Sequence, residues 1–486
     1  ARSFVTTENT EYTENSLSLF FCVFRLFRGQ IKSLFNNSGS EHLTDFPSFT
    51  IMRILHLVHQ YPPEYVGGTE YYTQSVAQAL TQRGHSVAVF TRRNGDGKGS
   101  SQRMDGDVAV HLAWNGELTP GQRFLTTFGH AAIAEPFDAL LAQFNPHLIH
   151  IQHMLGMPTA LLEHILQRKI PFVLTLHDFW WVCANAQLIT NYSGEICDGP
   201  NLWLNCARCV LARSQKQTFW PAILPVAAML GHRSARLNRL MKAATRIIAP
   251  SQFVKTWYSQ HGISTDKIVV LKHGVDRHPK SLPANHPPEI QPTARRPIRL
   301  LYAGGLSWQK GIHIPIEAIA SIVGDIELWI AGDERFDPEY SERLHRLAAQ
   351  NGAGRVRFLG RLSHTQVQRH LADADAAIVP ALWYETFSLF VHEAFAAGTP
   401  VIASNLGALA EAVRHAKDGL LLPPGDVQAW ASLFQRILSE PGLLADLRSN
   451  IQRPLSVAEH IDHLLGIYAE AVDPLSSSQP EVILSL

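Results

Sequence analysis

The sequence has no excess of charge of either sign and no long apolar run. Its 42 basic and 42 acidic residues give a formal net charge of zero, so the overall charge favours neither nucleic acid nor acidic partners. No recognised reader motif is present, which makes nucleic-acid binding a poor alternative. The most apolar early segment, residues 17–26, contains Arg25 and falls short of the roughly 18 apolar residues that a membrane-spanning helix needs. Acidic residues precede this segment, where a secretory signal needs basic ones, so we expect a cytoplasmic protein.

Length and hydropathy pattern predict two α/β domains. The chain has 486 residues, of which 46% are apolar, and this suits two cores better than one. Short apolar runs alternate with longer amphipathic segments, which is typical of βα repeats and parallel sheets. Two doubly wound, Rossmann-like sheets would place the carboxyl ends of their strands around one cleft, and open α/β sheets bind ligands at those ends.

Composition predicts where these domains begin and end. Residues 1–51 precede the first βα pattern, and we expect a poorly ordered extension that either has no folded role or is weakly amphipathic and faces a membrane. Residues 277–297 contain six prolines and predict a linker. The other predicted segments are a first domain at residues 52–276 with an insertion at about 183–246, a second domain at 298–456, a helix at 457–472 that crosses back to the first domain, and a tail at 473–486.

The periodicity also predicts individual elements. A helix is expected over residues 69–83 and is ended by Gly84, a residue type typical of helix C-termini. The predicted strands span residues 54–58, 86–90, 148–151, 172–176, 247–249, 298–302, 327–330, 356–359, 376–379 and 401–403.

The sharpest functional signal is a pair of glutamates, Glu385 and Glu393, around the start of a helix predicted near Phe387. Free amides at a helix N-terminus bind anions, so those of Thr386, Phe387 and Ser388 predict a diphosphate site with a carboxylate on each side. Glu393 lies in an otherwise apolar run, where a carboxylate without a partner is costly. The alternative is a surface helix that carries two glutamates by chance.

Residues 298–440 resemble the donor-binding half of the GT-B glycosyltransferases of family 4. The pattern E-x7-E is followed by A-x-G-x-P-V-I-A-S at residues 396–404, and the resemblance extends over most of the chain from Met52 onward. It implies a retaining sugar transfer from a UDP-, GDP- or ADP-sugar to a glycan or lipid-linked acceptor, as in cell-surface polysaccharide synthesis, with no metal needed for catalysis. A nucleotide-sugar-binding protein without turnover and a nucleotide-sugar epimerase remain as alternatives.

The resemblance also implies roles for particular residues. Glu385 would contact the donor sugar near the reacting carbon, and Glu393 would hold the ribose hydroxyls. The backbone around Arg361 and Leu362 would hold the base. In the phosphate-binding segment, whose family pattern is G-R-L-x-x-x-K-G, Lys310 is present but Gly305 replaces the arginine. A bidentate guanidinium contact to the diphosphate is thereby lost, while the point charge of the ammonium group remains.

Candidate site residues also follow several strands of the first domain. Gly67 and Gly68 come after the first strand and allow the backbone to approach a ligand closely, although such a pair is most often a turn. We assign both glycines to donor binding, because the resemblance implies that this loop closes over the donor phosphate and the acceptor. His177 resembles the family histidine beside the transferred sugar, so we count it as catalytic with Glu385 and Lys310. We assign His153 and Asp178 to the acceptor side, against the commoner structural role of histidines at strand ends.

The insertion carries two further features. Cys183, Cys197, Cys206 and Cys209 predict either a structural zinc ion or a set of buried thiols, since their spacing is not that of a standard finger. Residues 199–265 contain no acidic residue but many basic ones, interleaved with Phe219, Trp220, Ile223, Leu224 and Leu230. This composition predicts peripheral contact with an anionic membrane surface, or alternatively a solvated helix face packed on its own domain.

Overall fold

The computed structural model describes residues 51–473, apart from residues 96, 98, 130, 215–219, 277–295 and 353. The predicted extension, linker and tail therefore lie almost entirely outside the described residues. No helix among the described residues combines the length and the apolar character needed to cross a membrane.

The first lobe is built on an eight-stranded sheet in the order β3-β4-β2-β1-β5-β6-β7-β8. Apart from the largely exposed β3, its strands are mostly buried apolar runs, as expected for parallel strands covered on both faces. Every neighbouring pair is parallel except the β3-β4 hairpin. The strands are β1 (Arg53–Val58), β2 (Ser86–Arg93), β3 (Ser100–Asp105), β4 (Val108–Trp114), β5 (Leu148–Ile151), β6 (Phe172–Thr175), β7 (Arg246–Ala249) and β8 (Ile268–Val270). The helices are α1 (Gly68–Gln82), α2 (Pro120–Leu125), α3 (Ala131–Phe144), α4 (Ala160–Gln167), α5 (Leu204–Arg213), α6 (Ile223–Ala243) and α7 (Gln252–Gln260).

The second lobe is built on a six-stranded parallel sheet in the order β11-β10-β9-β12-β13-β14. Its strands are β9 (Ile298–Ala303), β10 (Ile326–Ala331), β11 (Val356–Gly360), β12 (Ala376–Val379), β13 (Val401–Ser404) and β14 (Gly419–Leu422). The helices are α8 (His313–Ala318), α9 (Pro338–Leu347), α10 (His364–Asp373), α11 (Leu389–Ala396), α12 (Gly407–Ala412), α13 (Val427–Ser439) and α14 (Leu443–Ser449). The two sheets confirm the predicted pair of Rossmann-like layers.

The last described helix, α15 (Val457–Val472), crosses back to the first lobe, as predicted. A capping box fixes its start, because the Ser456 hydroxyl accepts a hydrogen bond from the Glu459 amide and the Glu459 carboxylate accepts one from the Ser456 amide. Ile461 and Tyr468 are fully buried and pack in one cluster with Ile54 of β1. The chain after the second sheet thus completes the core of the first.

The carboxyl ends of the strands of both sheets meet at one cleft. The Thr386 hydroxyl, after β12, donates a hydrogen bond to the carbonyl oxygen of His177, after β6, at 2.7 Å. The Ser251 hydroxyl, after β7, donates to the carbonyl oxygen of Thr386 at 2.8 Å. These hydrogen bonds from side-chain hydroxyls to main-chain carbonyls hold the predicted site residues of the two lobes side by side.

Candidate active site

In the second lobe the structure brings Glu385 and Lys310 together. The Lys310 ammonium lies 2.7 Å from Oε1 of Glu385, and the same oxygen accepts a hydrogen bond from the indole of Trp383 at 2.8 Å. Lys310 also lies over the Trp383 ring, 4.9 Å from its centroid. The Glu385 side chain is 13% exposed, so its charge is largely removed from water and needs this partner. The pair forms a charged centre between the ends of β9 and β12.

The helix after Glu385 begins later than predicted. Ser388 has φ 62°, in the left-handed region, and α11 starts at Leu389 rather than near Phe387. Thr386 is instead a bridging residue that contacts both His177 and Ser251. Phe387 is buried and stacks on His392, with ring centroids 3.9 Å apart. The first helical residue is therefore Leu389, and the predicted anion site at Thr386, Phe387 and Ser388 lies just before the helix rather than in its first turn.

Glu393 is held from both lobes. Nε2 of His364 donates to its carboxylate at 3.0 Å, and the Tyr71 hydroxyl of α1 lies 3.2 Å from Nδ1 of the same imidazole. Burial, followed by the nearby Glu393 carboxylate, raises the pKa of Tyr71, so the phenol stays protonated and donates to the ring. Beside these residues lies a cavity of about 200 Å³, which Asp276 and His460 also line.

The phosphate-binding segment has room for a side chain that it lacks. A Cβ added at Gly305 would meet no heavy atom within 4 Å, and the Gly305 carbonyl oxygen accepts a hydrogen bond from the Tyr302 hydroxyl at 2.7 Å. Arg361 is 49% exposed and lies 3.7 Å from the Asp333 carboxylate, while Leu362 is partly buried at the end of β11. Lys310 is therefore the cation that the structure places closest to Glu385 among the predicted donor residues.

The glycine loop after β1 lies between α1 and the second lobe. Gly67 is the extended N-cap of α1, and a Cβ there would come within 2.5 Å of the Glu70 carboxylate. A Cβ at Gly68 would lie 3.6 Å from Leu389, the first residue of α11. A side chain at Gly67 would therefore displace the Glu70 carboxylate, whereas one at Gly68 would make only an ordinary contact with the donor-side helix. Glu70 is buried, and burial raises its pKa.

His177 is held as a neutral imidazole. Its Nε2 donates to the side-chain oxygen of Gln152 at 2.8 Å, and the Gln152 nitrogen lies 3.1 Å from Nδ1 of both His56 and His150. Burial, reinforced by His153, lowers the pKa of His177 to about 3. At neutral pH this ring can orient or accept hydrogen bonds, but it has no surplus proton to give.

His153 and Asp178 also come together. Nε2 of His153 donates to the Asp178 carboxylate at 2.8 Å, and Nδ1 accepts a hydrogen bond from the Leu155 amide at 3.1 Å. His153 is buried, whereas the Asp178 side chain is 32% exposed. The His59 ring lies 4.3 Å from that of His153 and 3.5 Å from the Glu70 carboxylate. These four side chains form one polar cluster at the ends of β1, β5 and β6.

The four cysteines lie near one another, but not as a metal site. Within the described residues, no group of three or more His, Cys, Asp or Glu side chains is placed to hold a metal ion. Burial and the other three thiols raise the pKa of Cys206 to about 12. The Cys209 sulfur accepts hydrogen bonds from the Asn191 amide at 3.2 Å and the Asn185 side chain at 3.1 Å. Among the described residues the geometry therefore does not support the predicted zinc site and favours its alternative, a set of thiols, of which Cys209 is buried and the other three are partly buried.

The basic stretch at residues 199–265 contains both buried residues and residues exposed to solvent. Arg233 is buried and donates to the carbonyl oxygen of Trp180 at 2.6 Å, while Arg236 pairs with Glu163 at 2.8 Å. Leu230 is buried and Ile223 is partly buried, whereas Trp220 and Leu224 are 69% and 73% exposed. Phe219 lies outside the described residues. Much of the predicted surface therefore belongs to the core of the lobe, and a smaller exposed part remains.

Sequence reasoning missed Glu70, Gln152, His364 and Tyr71 as members of the site. Glu70 and Gln152 stood next to predicted residues, Glu70 in the helix after the glycine pair and Gln152 just before His153. His364 and Tyr71 carried no signal, because their contact joins residues 293 positions apart.

Comparisons with known proteins identify the family of the chain. The family model of the group 1 glycosyl transferases matches residues 288–453, and that of glycosyltransferase family 4 matches residues 66–278. Glycogen synthase of Mycobacterium tuberculosis is 26% identical over 404 residues, which are 80% of this chain and 87% of the relative. D-inositol 3-phosphate glycosyltransferase of Pseudarthrobacter chlorophenolicus is 24% identical over 399 residues, which are 78% of this chain and 84% of the relative.

Solved structures share the fold. Anabaena HepE, solved in complex with UDP-glucose, has a TM-score of 0.59 at 21% identity, with 86% of this chain and 100% of the other covered. Sucrose-phosphate synthase from Thermosynechococcus elongatus has a TM-score of 0.60 at 22% identity, with 87% of this chain and 96% of the other covered.

Proposed function

Because the chain belongs to the family 4 glycosyltransferases of the GT-B fold, we propose that it is a retaining enzyme that moves a sugar from a nucleotide-sugar donor to a glycan or lipid-linked acceptor. The proposed setting is cell-surface polysaccharide synthesis. The observation that carries the proposal is the Lys310–Glu385 ion pair, which lies in the cleft beside the His177 main chain.

Lys310 and Glu385 would have different roles when a donor binds. Lys310 would meet the negative charge that develops on the departing diphosphate, and the N-terminus of α11 adds backbone amides on the same side. Glu385 keeps one carboxylate oxygen for the donor sugar, since Lys310 and Trp383 both contact Oε1. Glu393 would exchange its His364 contact for the ribose hydroxyls.

Retention follows if the acceptor attacks on the face that the diphosphate leaves. A bond forms between the acceptor oxygen and the anomeric carbon, the bond from that carbon to the phosphate oxygen breaks, and the acceptor proton passes to the departing phosphate oxygen. The protein then supplies position and charge rather than a nucleophile. Neutral His177 fits this scheme, because it can hold a sugar hydroxyl without competing for that proton.

A nucleoside diphosphate is the proposed ligand of the second lobe. The Anabaena relative was solved with UDP-glucose, and starch synthase IV of Arabidopsis thaliana, with a TM-score of 0.60, was solved with ADP. We therefore propose a UDP-, GDP- or ADP-sugar donor, with the base near Arg361 and Leu362. The cavity beside Glu393 offers space for the ribose, since Glu393 lines it.

Donor binding can be tested first by thermal shift with UDP-, GDP- and ADP-sugars. The true donor at about a hundred times its dissociation constant should stabilise the protein by roughly 2.7 kcal/mol. Slow hydrolysis of that donor should then be measured for the wild type, Glu385→Gln and Lys310→Ala. Both variants should lose turnover by orders of magnitude, whereas the exposed control Lys417→Ala should match the wild type.

The outcomes separate the proposal from its alternatives. Near-wild-type turnover in Lys310→Ala would contradict the catalytic role proposed for the Lys310–Glu385 pair. Donor binding without hydrolysis or transfer in the wild type would indicate a binding protein. A changed sugar without any acceptor would indicate an epimerase.

A further inference from the structure

Exposed apolar side chains concentrate on the helical hairpin formed by α5 and α6. Trp220, in the turn before α6, is 69% exposed, and Leu224, in its first turn, is 73% exposed. Pro225, Ala228 and Met229 are also exposed, and the i, i+4 spacing from Leu224 to Ala228 and from Pro225 to Met229 places them on adjoining rows of one helix surface. We call Trp220, Leu224, Pro225, Ala228 and Met229 the apolar stripe.

The apolar stripe is not needed to fold the hairpin. The inward side of the hairpin has its own small core, in which Ala207 of α5 contacts Ala227 and Leu230 of α6. At the N-terminus of α5 the Trp203 ring lies against Gly231, and the neighbouring Leu202 is 74% exposed. Clustered apolar surface that the core does not use indicates an interaction site.

The charges on the hairpin indicate which kind of partner it would bind. Residues 199–265 contain no Asp or Glu, so the hairpin presents no carboxylate of its own. Arg208 and Arg213 on α5 are exposed and have no carboxylate partner in the described part of the chain. The other arginines of the hairpin have partners in the lobe, since Arg233 is buried and both Arg236 and Arg239 pair with Glu163. Arg208 lies over the Tyr192 ring at 4.1 Å and Arg213 donates to the side-chain oxygen of Asn185, so neither contact neutralises its charge. Exposed cations on the same hairpin as an exposed tryptophan and leucine suit a surface that is negative outside and apolar within.

We propose that the hairpin docks on an anionic lipid surface. Trp220 and Leu224 enter the region between headgroups and acyl chains, where tryptophan is preferred, and Arg208 and Arg213 contact the anionic headgroups. Docking rests on the hairpin alone and goes beyond the proposed function.

The point at which the hairpin joins the first lobe suggests a role for membrane docking. The insertion leaves the first sheet after β6, and Arg233 of α6 donates to the carbonyl oxygen of Trp180, three residues after His177. A lipid surface held by the hairpin would lie next to the acceptor side of the cleft. This link to a lipid-borne acceptor rests on the proposed function, whereas the docking itself does not.

The test is co-sedimentation of the full chain with phosphatidylglycerol-containing vesicles and with pure phosphatidylcholine vesicles, at low and high salt. The wild type should bind the anionic vesicles, and salt should weaken binding. The double variant Trp220→Ser/Leu224→Ser should bind at least about tenfold more weakly, because two large side chains no longer enter the lipid. Arg208→Gln/Arg213→Gln should remove the preference for anionic over neutral vesicles.

A matched control exists in the second lobe. Val323 and Phe336 are 83% and 70% exposed there, so Val323→Ser/Phe336→Ser removes similar apolar surface away from the hairpin. This control should bind vesicles like the wild type. Equal binding by the stripe variant and the wild type would overturn the proposal. So would an oligomer that the stripe variant dissociates without any change in vesicle binding, because the stripe would then be a protein interface.

Donor hydrolysis distinguishes this proposal from the proposed function. The stripe variant should hydrolyse the donor at the wild-type rate, since the stripe lies outside the charged pair and the His177 network. Loss of vesicle binding with intact hydrolysis supports docking, while a wild type that binds vesicles but never hydrolyses a donor refutes only the function.

Discussion

Gly305 is the residue at which this chain departs most clearly from the family pattern. The resemblance implies an arginine there, and the structure leaves the space for it open, with no heavy atom within 4 Å of an added Cβ. On the proposed function, Lys310 would meet the diphosphate without a second cation from this segment, while it already pairs with Glu385 at 2.7 Å. One ammonium group would then serve two anions, which should make nucleoside diphosphate binding weaker than an added guanidinium would allow.

Restoring the arginine should strengthen binding. Gly305→Arg is expected to lower the dissociation constant for the matching nucleoside diphosphate about tenfold, because a charge-assisted hydrogen bond is gained at a site with room for it. Gly305→Gln is the control, since it adds a side chain without a charge. Titration calorimetry of both variants measures the difference, and equal affinities would show that the diphosphate lies elsewhere.

Strand position and chemistry alone pointed to Glu385, whereas Lys310 and His177 were assigned through the family resemblance. All three follow a strand, and the structure brings them to one cleft. Their partners could not be predicted, because Gln152 reaches His177 from the neighbouring strand β5 and that distance depends on sheet order. The cysteines show the opposite failure, since their spacing allowed a metal site that the geometry does not form.

Helix α7 is capped by a residue from the other lobe. The Glu411 carboxylate accepts hydrogen bonds from the amides of Gln252 and Phe253 at 3.0 and 2.8 Å. A carboxylate at a helix N-terminus satisfies free amides and complements the helix dipole. Here it also joins the lobes beside the Ser251–Thr386 contact, so the cap helps to keep the cleft closed.

Glu411→Ala should loosen this closure. We expect the free energy of unfolding to fall by about 1 kcal/mol or less, because the site is exposed, and the KM for the donor to rise. Glu440→Ala is a matched control, since the Glu440 carboxylate pairs with Arg436, four residues earlier in the same lobe. Urea titrations and donor kinetics on both variants measure the free energy of unfolding and the KM. Equal values for Glu411→Ala and Glu440→Ala would mean that the cap does not link the lobes.

Elements with strong patterns were predicted closely, and elements on the surface were not. The span of β12, Ala376–Val379, and that of α15, Val457–Val472, agree with prediction because each is an uninterrupted periodic run. The hairpin of β3 and β4 was missed, since β3 reads SSQRMD and is largely exposed. Its turn at Gly106, with φ 58°, did carry the Asp-Gly signal of a tight hairpin.

Across the whole molecule, neutral histidines form an unusual part of the interior. Burial lowers the pKa of each one well below that of an exposed imidazole, to about 3 for His56 and to about 4 for His313, His392 and His460. His150 and His273 are shifted in the same direction by burial and by neighbouring imidazoles. Several contacts that join α15 to the first lobe depend on this neutral state, such as that of His150 with the Tyr468 hydroxyl at 2.6 Å.

Stability should therefore fall as the solution becomes acidic. The folded pKa of each buried histidine lies below the unfolded value of about 6.5, so the unfolded chain takes up protons first. This contribution is complete above about pH 6.5 and is lost as the pH falls towards the folded pKa. At about pH 5.5 each buried histidine should cost roughly 1.4 kcal/mol. Urea unfolding between about pH 7 and pH 5.5 measures the slope.

Substitution of single histidines can show how much each contributes to the pH dependence of the free energy of unfolding. His313→Gln removes one buried imidazole, so its loss of stability between about pH 7 and pH 5.5 should be smaller than that of the wild type by roughly 1.4 kcal/mol. The exposed His415 provides the control, because His415→Gln changes no buried group and should leave the slope unchanged. If both variants keep the wild-type slope, the acid sensitivity arises from carboxylates, and the neutral histidine interior does not govern it.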